Sequence, residues 1–198
     1  MSIILILSSP SGCGKSTVAR VLVNQDKNLK LSISATTREM RNNELDGVDY
    51  HFKSKEEFQD LLDKNKLLEH TFLYGNFYGT LKSDVQSILD KNVDVVFDID
   101  ANGLKSLQSS LCKNHSIISV FLLPPKPYLH HLKQRLSNRE NSKNHNIELR
   151  LQNAQKEISY AQYYDFVITN DKLYDTVSHI ELMLQNARLS ALNKSISD

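Results

Sequence analysis

An apolar segment that runs directly into a loop of glycine, lysine and serine constrains this chain more than any other feature. Ile3–Leu7 is continuously apolar and rich in β-branched residues, which is typical of a strand buried on both faces of a parallel sheet. The loop Ser9–Thr17 follows, and Val18 and Leu22 begin the apolar face of a helix that starts near Ser16. Strand, loop and helix in this order are the context of a phosphate-binding P-loop.

The loop has the residues that phosphate binding requires. Gly12 and Gly14 permit a tight turn whose backbone N–H groups face phosphate oxygens at the positive end of a helix dipole. Lys15 would reach the β and γ phosphates, and the Ser16 hydroxyl would ligate Mg²⁺. The first position of G-x-x-x-x-G-K-[ST] is Ser9 here, and a chance Gly-Lys-Ser turn is the alternative interpretation. The residues predicted to bind ATP in this loop are Ser11, Gly12, Cys13, Gly14, Lys15, Ser16 and Thr17.

Apolar segments alternate with helical patterns along the rest of the chain. Further strands are predicted at Leu31–Thr36, Leu67–Leu73, Phe77–Thr80, Val93–Ile99, Ile117–Leu123 and Phe166–Ile168. Helices are predicted after a capping box at Ser54 and Glu57, at Ser83–Leu89, from Pro127 to about Leu136, at Ile147–Ala161 and at Leu173–Leu192. The alternation predicts an α/β fold, with an open parallel sheet and helices on both of its faces.

Two segments interrupt this pattern. We interpret residues 38–80 as an inserted lobe. It contains a short pair of antiparallel strands, with Gly75 and Asn76 as the turn residues. Asn138–Asn146 is entirely polar and predicts a mobile loop. We find no internal repeat and no linker between independent domains, so one domain is expected over residues 1–198.

Aspartates follow the second strongly apolar strand. Asp98 comes directly after Val95–Phe97, as in a Walker B site, and Asp100 would point the same way if the strand continued. A carboxylate at this edge of a parallel sheet lies where such sheets bind ligands, so Asp98 is a candidate for Mg²⁺ binding through water. Solvated turn residues are the alternative interpretation.

Arginine is used sparingly, with 7 arginines against 17 lysines. Arginine binds phosphate with a planar, bidentate fork, whereas lysine is a point charge on a flexible stem. All but Arg20 and Arg188 fall into two groups, which are Arg38 with Arg41 and Arg135 with Arg139 and Arg150. Two such groups and a P-loop imply two phosphate-bearing substrates, one of them a nucleoside triphosphate.

The overall composition excludes other classes of protein. A net charge of +1 gives no global basic field for nucleic acid or an anionic membrane, so neither is an expected partner. Cys13 and Cys112 are too few for a disulfide framework, and Ile3–Leu7 is too short to span a bilayer. A cytoplasmic location is therefore expected.

The motifs together resemble the guanylate kinase family over nearly the whole chain. The matching positions are Pro10–Thr17, Ser34–Arg38, Arg41, Glu44, Gly47, Asp49–Tyr50, Glu69, Tyr74–Thr80, Asp98–Asp100, Asn102–Gly103, Arg135, Arg139, Arg150, Ala154, Glu157 and Val167–Asp171. The resemblance implies a P-loop kinase that transfers phosphate from ATP to GMP, and to dGMP, with Mg²⁺. It also implies a core of about 1–36, 81–137 and 161–198, a mixed-sheet GMP-binding insert of about 37–80 and a helical lid of about 138–160.

The resemblance assigns residue roles as well. Those expected to bind GMP are Ser34, Arg38, Arg41, Tyr50, Glu69, Tyr78, Thr80 and Asp100. Those expected to act on the transferred phosphoryl group are Lys15, Arg38, Arg135, Arg139 and Arg150, with Asn170 near the adenine of ATP. Departures from the family pattern occur at Ser9, Met40, Asn43 and Glu140. Two rival readings are an inactive interaction module of the same fold and a related kinase that acts on a phosphorylated sugar.

Overall fold

The computed structural model describes residues 2–111, 115–139 and 147–197. Cys112, Glu140 and most of the predicted loop Asn138–Asn146 lie outside these residues. Arg139 is described by its backbone alone, as the last residue of a helix.

Strands in the described part of the chain form two sheets. In chain order they are β1 (Ile3–Ser8), β2 (Leu29–Leu31), β3 (Ser34–Thr36), β4 (His51–Phe52), β5 (Leu67–Leu73), β6 (Asn76–Leu81), β7 (Asp94–Asp98), β8 (Ser116–Leu123) and β9 (Phe166–Thr169). Sheet A has the order β2-β7-β1-β8-β9, and all of its pairs are parallel. Sheet B has the order β4-β3-β6-β5 and is mixed, since β3 pairs parallel with β4 and antiparallel with β6.

Helices follow most of the strands. They are α1 (Lys15–Gln25), α2 (Lys55–Asp63), α3 (Lys82–Leu89), α4 (Ala101–Leu111), α5 (Tyr128–Arg139), α6 (Ile147–Ile158) and α7 (Leu173–Ser197), with a short 3₁₀ helix at Ser159–Tyr163. The capping box is confirmed, because the Ser54 hydroxyl accepts from the Glu57 N–H and the Glu57 carboxylate accepts from the Ser54 N–H. None of the helices in the described ranges is both long enough and apolar enough to cross a bilayer.

Strand β1 lies at the centre of sheet A and is buried on both faces, as its sequence predicts. Ile3, Leu5 and Leu7 pack in one apolar cluster with side chains of α1 and α7. Ile4 and Ile6 point the other way, into a second cluster with side chains of α3 and α4. Helices therefore cover both faces of the parallel sheet, and the predicted α/β class is confirmed.

The prediction of one strand over Leu31–Thr36 is wrong. The segment divides into the end of β2, where Leu31 pairs with Val96 in sheet A, and β3, where Ser34 pairs with Thr80 in sheet B. The chain crosses from one sheet to the other within two residues. Hydrophobic pattern identifies extended backbone but not its pairing partner, so the sequence could not separate the two strands.

Two smaller predictions also differ from the structure. The β5–β6 turn is formed by Tyr74 and Gly75, with φ values of 51° and 82°, and Asn76 already belongs to β6. Both turn residues have positive φ, as a two-residue hairpin turn that follows sheet twist requires. The last helix continues to Ser197, five residues beyond the predicted end.

Helix α7 is fixed to the core by an ion pair whose carboxylate, that of Asp94, is buried, and loss of this pair gives our first prediction. Arg188 Nε donates to Asp94 Oδ2 at 2.7 Å, Arg188 also binds Asp26 at 2.5 Å, and Asp94 is 3% exposed. We expect Arg188→Ala to lower the free energy of unfolding by about 3 kcal/mol, because it leaves a buried carboxylate without its cation. Urea denaturation measures the change.

Lys64→Ala is the control. Lys64 also pairs with an aspartate, Asp60, but both side chains are exposed, at 62% and 55%. An exposed pair contributes less than about 1 kcal/mol, so this variant should unfold close to the wild type. If both variants lost the same free energy of unfolding, burial of the Asp94 carboxylate would not explain the effect of Arg188→Ala.

Candidate active site

The loop between β1 and α1 has the geometry of an anion-binding site. Gly12 and Gly14 have φ values of 89° and 97°, and Gly14 is the N-terminal cap of α1. A Cβ at Gly12 would come within 2.9 Å of the Leu136 side chain, and one at Gly14 within 2.9 Å of the Asn170 amide. None of the described side chains caps the start of α1, and its first turn has no acidic residue. The N–H groups and dipole of this helix end therefore face the loop.

Lys15 is held over the loop by the end of β7. Its Nζ donates to the Ile99 carbonyl at 2.8 Å and forms an ion pair with Asp98. Strand β7 ends at Asp98, so the strand does not continue to Asp100. Asp98 and Asp100 nevertheless line one cavity with Lys15.

That cavity, of about 220 Å³, is the centre of the candidate site. It lies between the carboxyl ends of the strands of sheet A, sheet B and helix α6. The predicted site residues that line it are Ser11, Gly12, Cys13, Gly14, Lys15, Ser16, Ser34, Arg38, Arg41, Tyr50, Glu69, Tyr78, Asp98, Asp100 and Arg150. Residues that are more than 130 positions apart in the sequence are thus brought together in one cleft.

A second cavity, of about 360 Å³, lies on the other side of the loop and contains the predicted Thr17, Arg135 and Asn170. The Cys13 carbonyl accepts from Asn170 Nδ2 at 2.8 Å and from the Arg135 guanidinium at 3.0 Å. Asn170 Oδ1 accepts from the Thr176 hydroxyl at 3.0 Å. Asn170 and Arg135 therefore hold the loop in shape while they line this cavity, and Thr176 supports them. No motif in the sequence predicts this role for Thr176.

The Cys13 thiol is unreactive in this environment. Its side chain is buried, and burial raises the pKa of the thiol to about 12, which the charge of Arg135 opposes. The thiolate needed for nucleophilic chemistry is therefore absent near neutral pH.

Arg38 lies on the opposite wall of the central cavity, at the edge of sheet B. Its guanidinium donates to both Glu44 carboxylate oxygens at 2.8 and 2.9 Å, and it lies 5.2 Å from the centre of the Tyr50 ring. Burial opposes the charge of Arg38, but the bonds to Glu44 outweigh it and raise its pKa. Arg38 is thus a fixed cation, backed by an aromatic ring and directed by Glu44.

Glu69 is the most perturbed carboxylate of the site. It lies at a bulge in β5, is 5% exposed and accepts from the Thr80 hydroxyl at 2.7 Å. Burial raises its pKa to about 7; the Thr80 hydrogen bond opposes this shift, and the charge of Asp100 adds to it. A carboxylate that is perturbed in this way and faces a cleft is a candidate functional group.

Sheet B brings two hydroxyl side chains into one row with this carboxylate. Ser34 on β3 is paired with Thr80 on β6, and β5 with Glu69 is the next strand. Gly79 and Gly103 pack against Glu69 and leave no room for a side chain. A Cβ at Gly79 would lie 2.9 Å from the Glu69 carbonyl oxygen, and a Cβ at Gly103 would lie 3.0 Å from Glu69 Oε2. The row offers hydroxyl donors next to carboxylate acceptors, which suits a ligand edge that carries both N–H and C=O groups.

Helix α6 closes the third side of the cavity. Glu157 accepts from the Ser11 N–H of the phosphate loop at 3.1 Å, and Arg150 lies 5.3 Å from the centre of the Tyr74 ring. Tyr74, Glu157 and Thr71 also line the cavity, although no role is predicted for them from the sequence. Thr71 could have been found, since it lies two residues after Glu69 on a strand. The side chain of Arg139 lies outside the described part of the chain, so its assigned role stays a prediction.

Comparison with known proteins gives a consistent result. The sequence profile of a family described as "Guanylate kinase" matches residues 1–187. A guanylate kinase of Rickettsia bellii (strain RML369-C) is 47% identical over 186 residues, which cover 94% of this chain and 95% of that protein. A guanylate kinase of Rhizobium etli is 41% identical, with 94% of this chain and 83% of the relative covered. The crystal structure of guanylate kinase from Anaplasma phagocytophilum has a TM-score of 0.76 at 33% identity, and covers 93% of this chain and 85% of its own.

Proposed function

The chain belongs to the guanylate kinase family, and we propose that it transfers the γ-phosphoryl group of ATP to GMP, giving ADP and GDP, a reaction of purine nucleotide metabolism. One observation carries this proposal. A single cavity contains both a phosphate loop with Lys15 and a buried carboxylate, Glu69, beside Ser34. Donor phosphates and an acceptor base can therefore be held in one cleft, with the acceptor phosphate between them.

Recognition of guanine follows from the chemistry of Glu69. Guanine presents N–H groups at N1 and N2 beside the O6 acceptor, so an ionised carboxylate accepts two bonds while Ser34 donates to O6. Thr80 and Asp100 support this pocket. Adenine has no N1–H and leaves the buried carboxylate unpaired, which is a strong penalty. We extend the proposal to dGMP, because the assigned residues address the base and the phosphate.

The acceptor phosphate is assigned to the wall of the cavity near sheet B. Arg38, Arg41, Tyr50 and Tyr78 lie there, and the Tyr50 and Tyr78 ring centres are 6.2 Å apart. A phosphate oxygen of GMP is already anionic near neutral pH, so in-line attack on the γ phosphorus needs no strong base. Positioning and charge neutralisation by Lys15, Arg38, Arg135, Arg139 and Arg150 supply the catalysis.

Mg²⁺ fits the residues present. The Ser16 hydroxyl and the Asp98 carboxylate line the same cavity beside the loop, and both are the oxygen ligands that Mg²⁺ prefers. No cluster of three or more acidic, histidine or cysteine ligands occurs among the described residues, and Mg²⁺ on a nucleotide needs only one or two protein ligands. The ion neutralises charge on the β and γ phosphates when bound. We also propose a cytoplasmic location, in keeping with the two cysteines.

A panel of acceptors tests the function. ADP formation from ATP is measured with GMP, dGMP, AMP and a pentose bisphosphate at equal concentrations. We expect GMP and dGMP to support turnover, and AMP to be poorer by about a thousandfold or more, because its base leaves Glu69 unpaired. Turnover with the pentose bisphosphate and not with GMP would indicate the sugar kinase. No turnover with any acceptor, in a folded protein, would indicate the inactive interaction module.

A further inference from the structure

We propose that Thr71 is a positioning residue that orients the Asp100 carboxylate toward the 2-amino group of guanine, an inference that rests on the proposed function. Thr71 and Asp100 come from different parts of the fold. Thr71 lies on β5 of sheet B, and Asp100 lies between β7 of sheet A and helix α4.

Strand alternation places Thr71 in the base pocket. Along β5, Glu69, Thr71 and Leu73 line the central cavity, whereas His70 and Phe72 are exposed. Thr71 is thus the next inward-facing side chain after the proposed guanine ligand. Its place in the pocket is fixed by a sheet backbone and not by a loop.

The Asp100 carboxylate accepts from a side-chain hydroxyl and from a backbone N–H. Thr71 Oγ1 donates to Asp100 Oδ2 at 3.0 Å, and the Gly103 N–H at the start of α4 donates to Asp100 Oδ1 at 3.1 Å. A carboxylate only accepts hydrogen bonds, so the hydroxyl must be the donor. Since each oxygen has a directed donor, the plane of the carboxylate is set from both sides.

The acceptor chemistry of Asp100 matches one group of guanine. The N1–H and one N–H of the 2-amino group are assigned to Glu69, which leaves the second N–H of that amino group. An ionised carboxylate has about four acceptor sites, so Asp100 can accept this N–H while it keeps the bond from Thr71. Both carboxylates line the same cavity. Thr71 therefore acts on the part of the base that distinguishes guanine from hypoxanthine.

Two variants and two nucleotides test the inference. Thr71→Val replaces the hydroxyl with a methyl group of similar size, and Thr71→Ser keeps the hydroxyl. GMP and inosine monophosphate differ only by the 2-amino group. Dissociation constants for both nucleotides are measured by calorimetry, kcat and KM are measured for GMP, and thermal unfolding checks the fold.

We expect Thr71→Val to weaken GMP binding by about five- to tenfold, the loss typical of one ordinary intramolecular hydrogen bond, and to change kcat less than KM. Binding of inosine monophosphate should change less than twofold, and Thr71→Ser should restore GMP binding. Equal weakening for both nucleotides, or no weakening for GMP, would overturn the role of Thr71. A wild-type protein that does not phosphorylate GMP in the same assay would instead overturn the proposed function, and this inference with it.

Discussion

Replacing Lys15 with alanine is expected to lower kcat/KM for GMP-dependent ADP formation by about a thousandfold or more. Lys15 lines the central cavity. In the proposed reaction it is the cation of the phosphate loop and lies where charge develops on the transferred phosphoryl group. Preorganised charges of this kind stabilise the transition state by several kcal/mol in a site that excludes water. Steady-state kinetics with saturating ATP measures the loss.

The fold of this variant should be preserved. Lys15 pairs with Asp98, but both side chains keep some exposure, at 18% and 17%. The melting temperature should therefore stay within a few degrees of the wild type. Lys64→Ala removes a lysine from an ion pair with Asp60 whose partners are 62% and 55% exposed, and it should leave the rate unchanged. A wild-type rate in Lys15→Ala would reject the phosphate-loop assignment.

Glu69→Gln is expected to have two effects of opposite sign. The first is a loss of about a thousandfold in kcat/KM for GMP, since two hydrogen bonds from the base to a charged acceptor are lost or reversed. The Thr80 hydroxyl donates to Glu69 Oε1, so it would hold the amide oxygen of glutamine and leave the amide N–H₂ toward the guanine donors.

The second effect is on stability. Burial raises the pKa of Glu69 to about 7, so the folded protein holds this proton more tightly than the unfolded chain does. The protonated Glu69 carboxyl therefore contributes to the free energy of unfolding at acid pH. This contribution, of up to about 3 kcal/mol, is lost as the pH rises from about 4.5 to 7. Glutamine cannot ionise. Glu69→Gln should therefore raise the free energy of unfolding at pH 8 and leave it nearly unchanged at pH 4.5.

Urea denaturation at the two pH values, with kinetics on the same samples, checks both effects. Calorimetry adds a third readout, because wild-type GMP binding should weaken as the pH falls below 7 and the carboxyl becomes protonated. The glutamine variant should lack that contribution. A variant that is less stable at pH 8, or that retains GMP turnover, would show that Glu69 is not a buried, ionising base ligand.

The strand, loop and helix at the start of the chain could be predicted because the signal is local. An apolar run such as Ile3–Leu7, the two glycines of the loop and the apolar face of α1 each identify their own structure. Helix α4 was missed although Leu104, Leu107 and Leu111 have helical spacing, because Gly103 and the serines around them weaken the pattern. Gly103 is explained by its closeness to Glu69, which no local pattern contains.

The site could be predicted only as a set of residues. The geometry that gives them their chemistry depends on contacts between distant segments, such as Thr71 with Asp100 and Ser11 with Glu157. The raised pKa of Glu69 likewise results from burial where sheet B packs against helix α4. The spacing of residues in the sequence carries no information on these contacts or on the burial of Glu69. The two glutamates, Glu44 and Glu157, were seen as family matches, but their bonds to Arg38 and to the phosphate loop became visible only in the folded protein.

The most direct test of phosphoryl transfer is to quantify products when the purified protein is incubated with ATP, Mg²⁺ and GMP. Ion-exchange chromatography separates GDP from ADP and measures both. The proposed reaction predicts one GDP for each ADP, and almost no ADP when GMP is omitted. ADP formed at the same rate without GMP, or ADP formed without GDP, would contradict the proposed function.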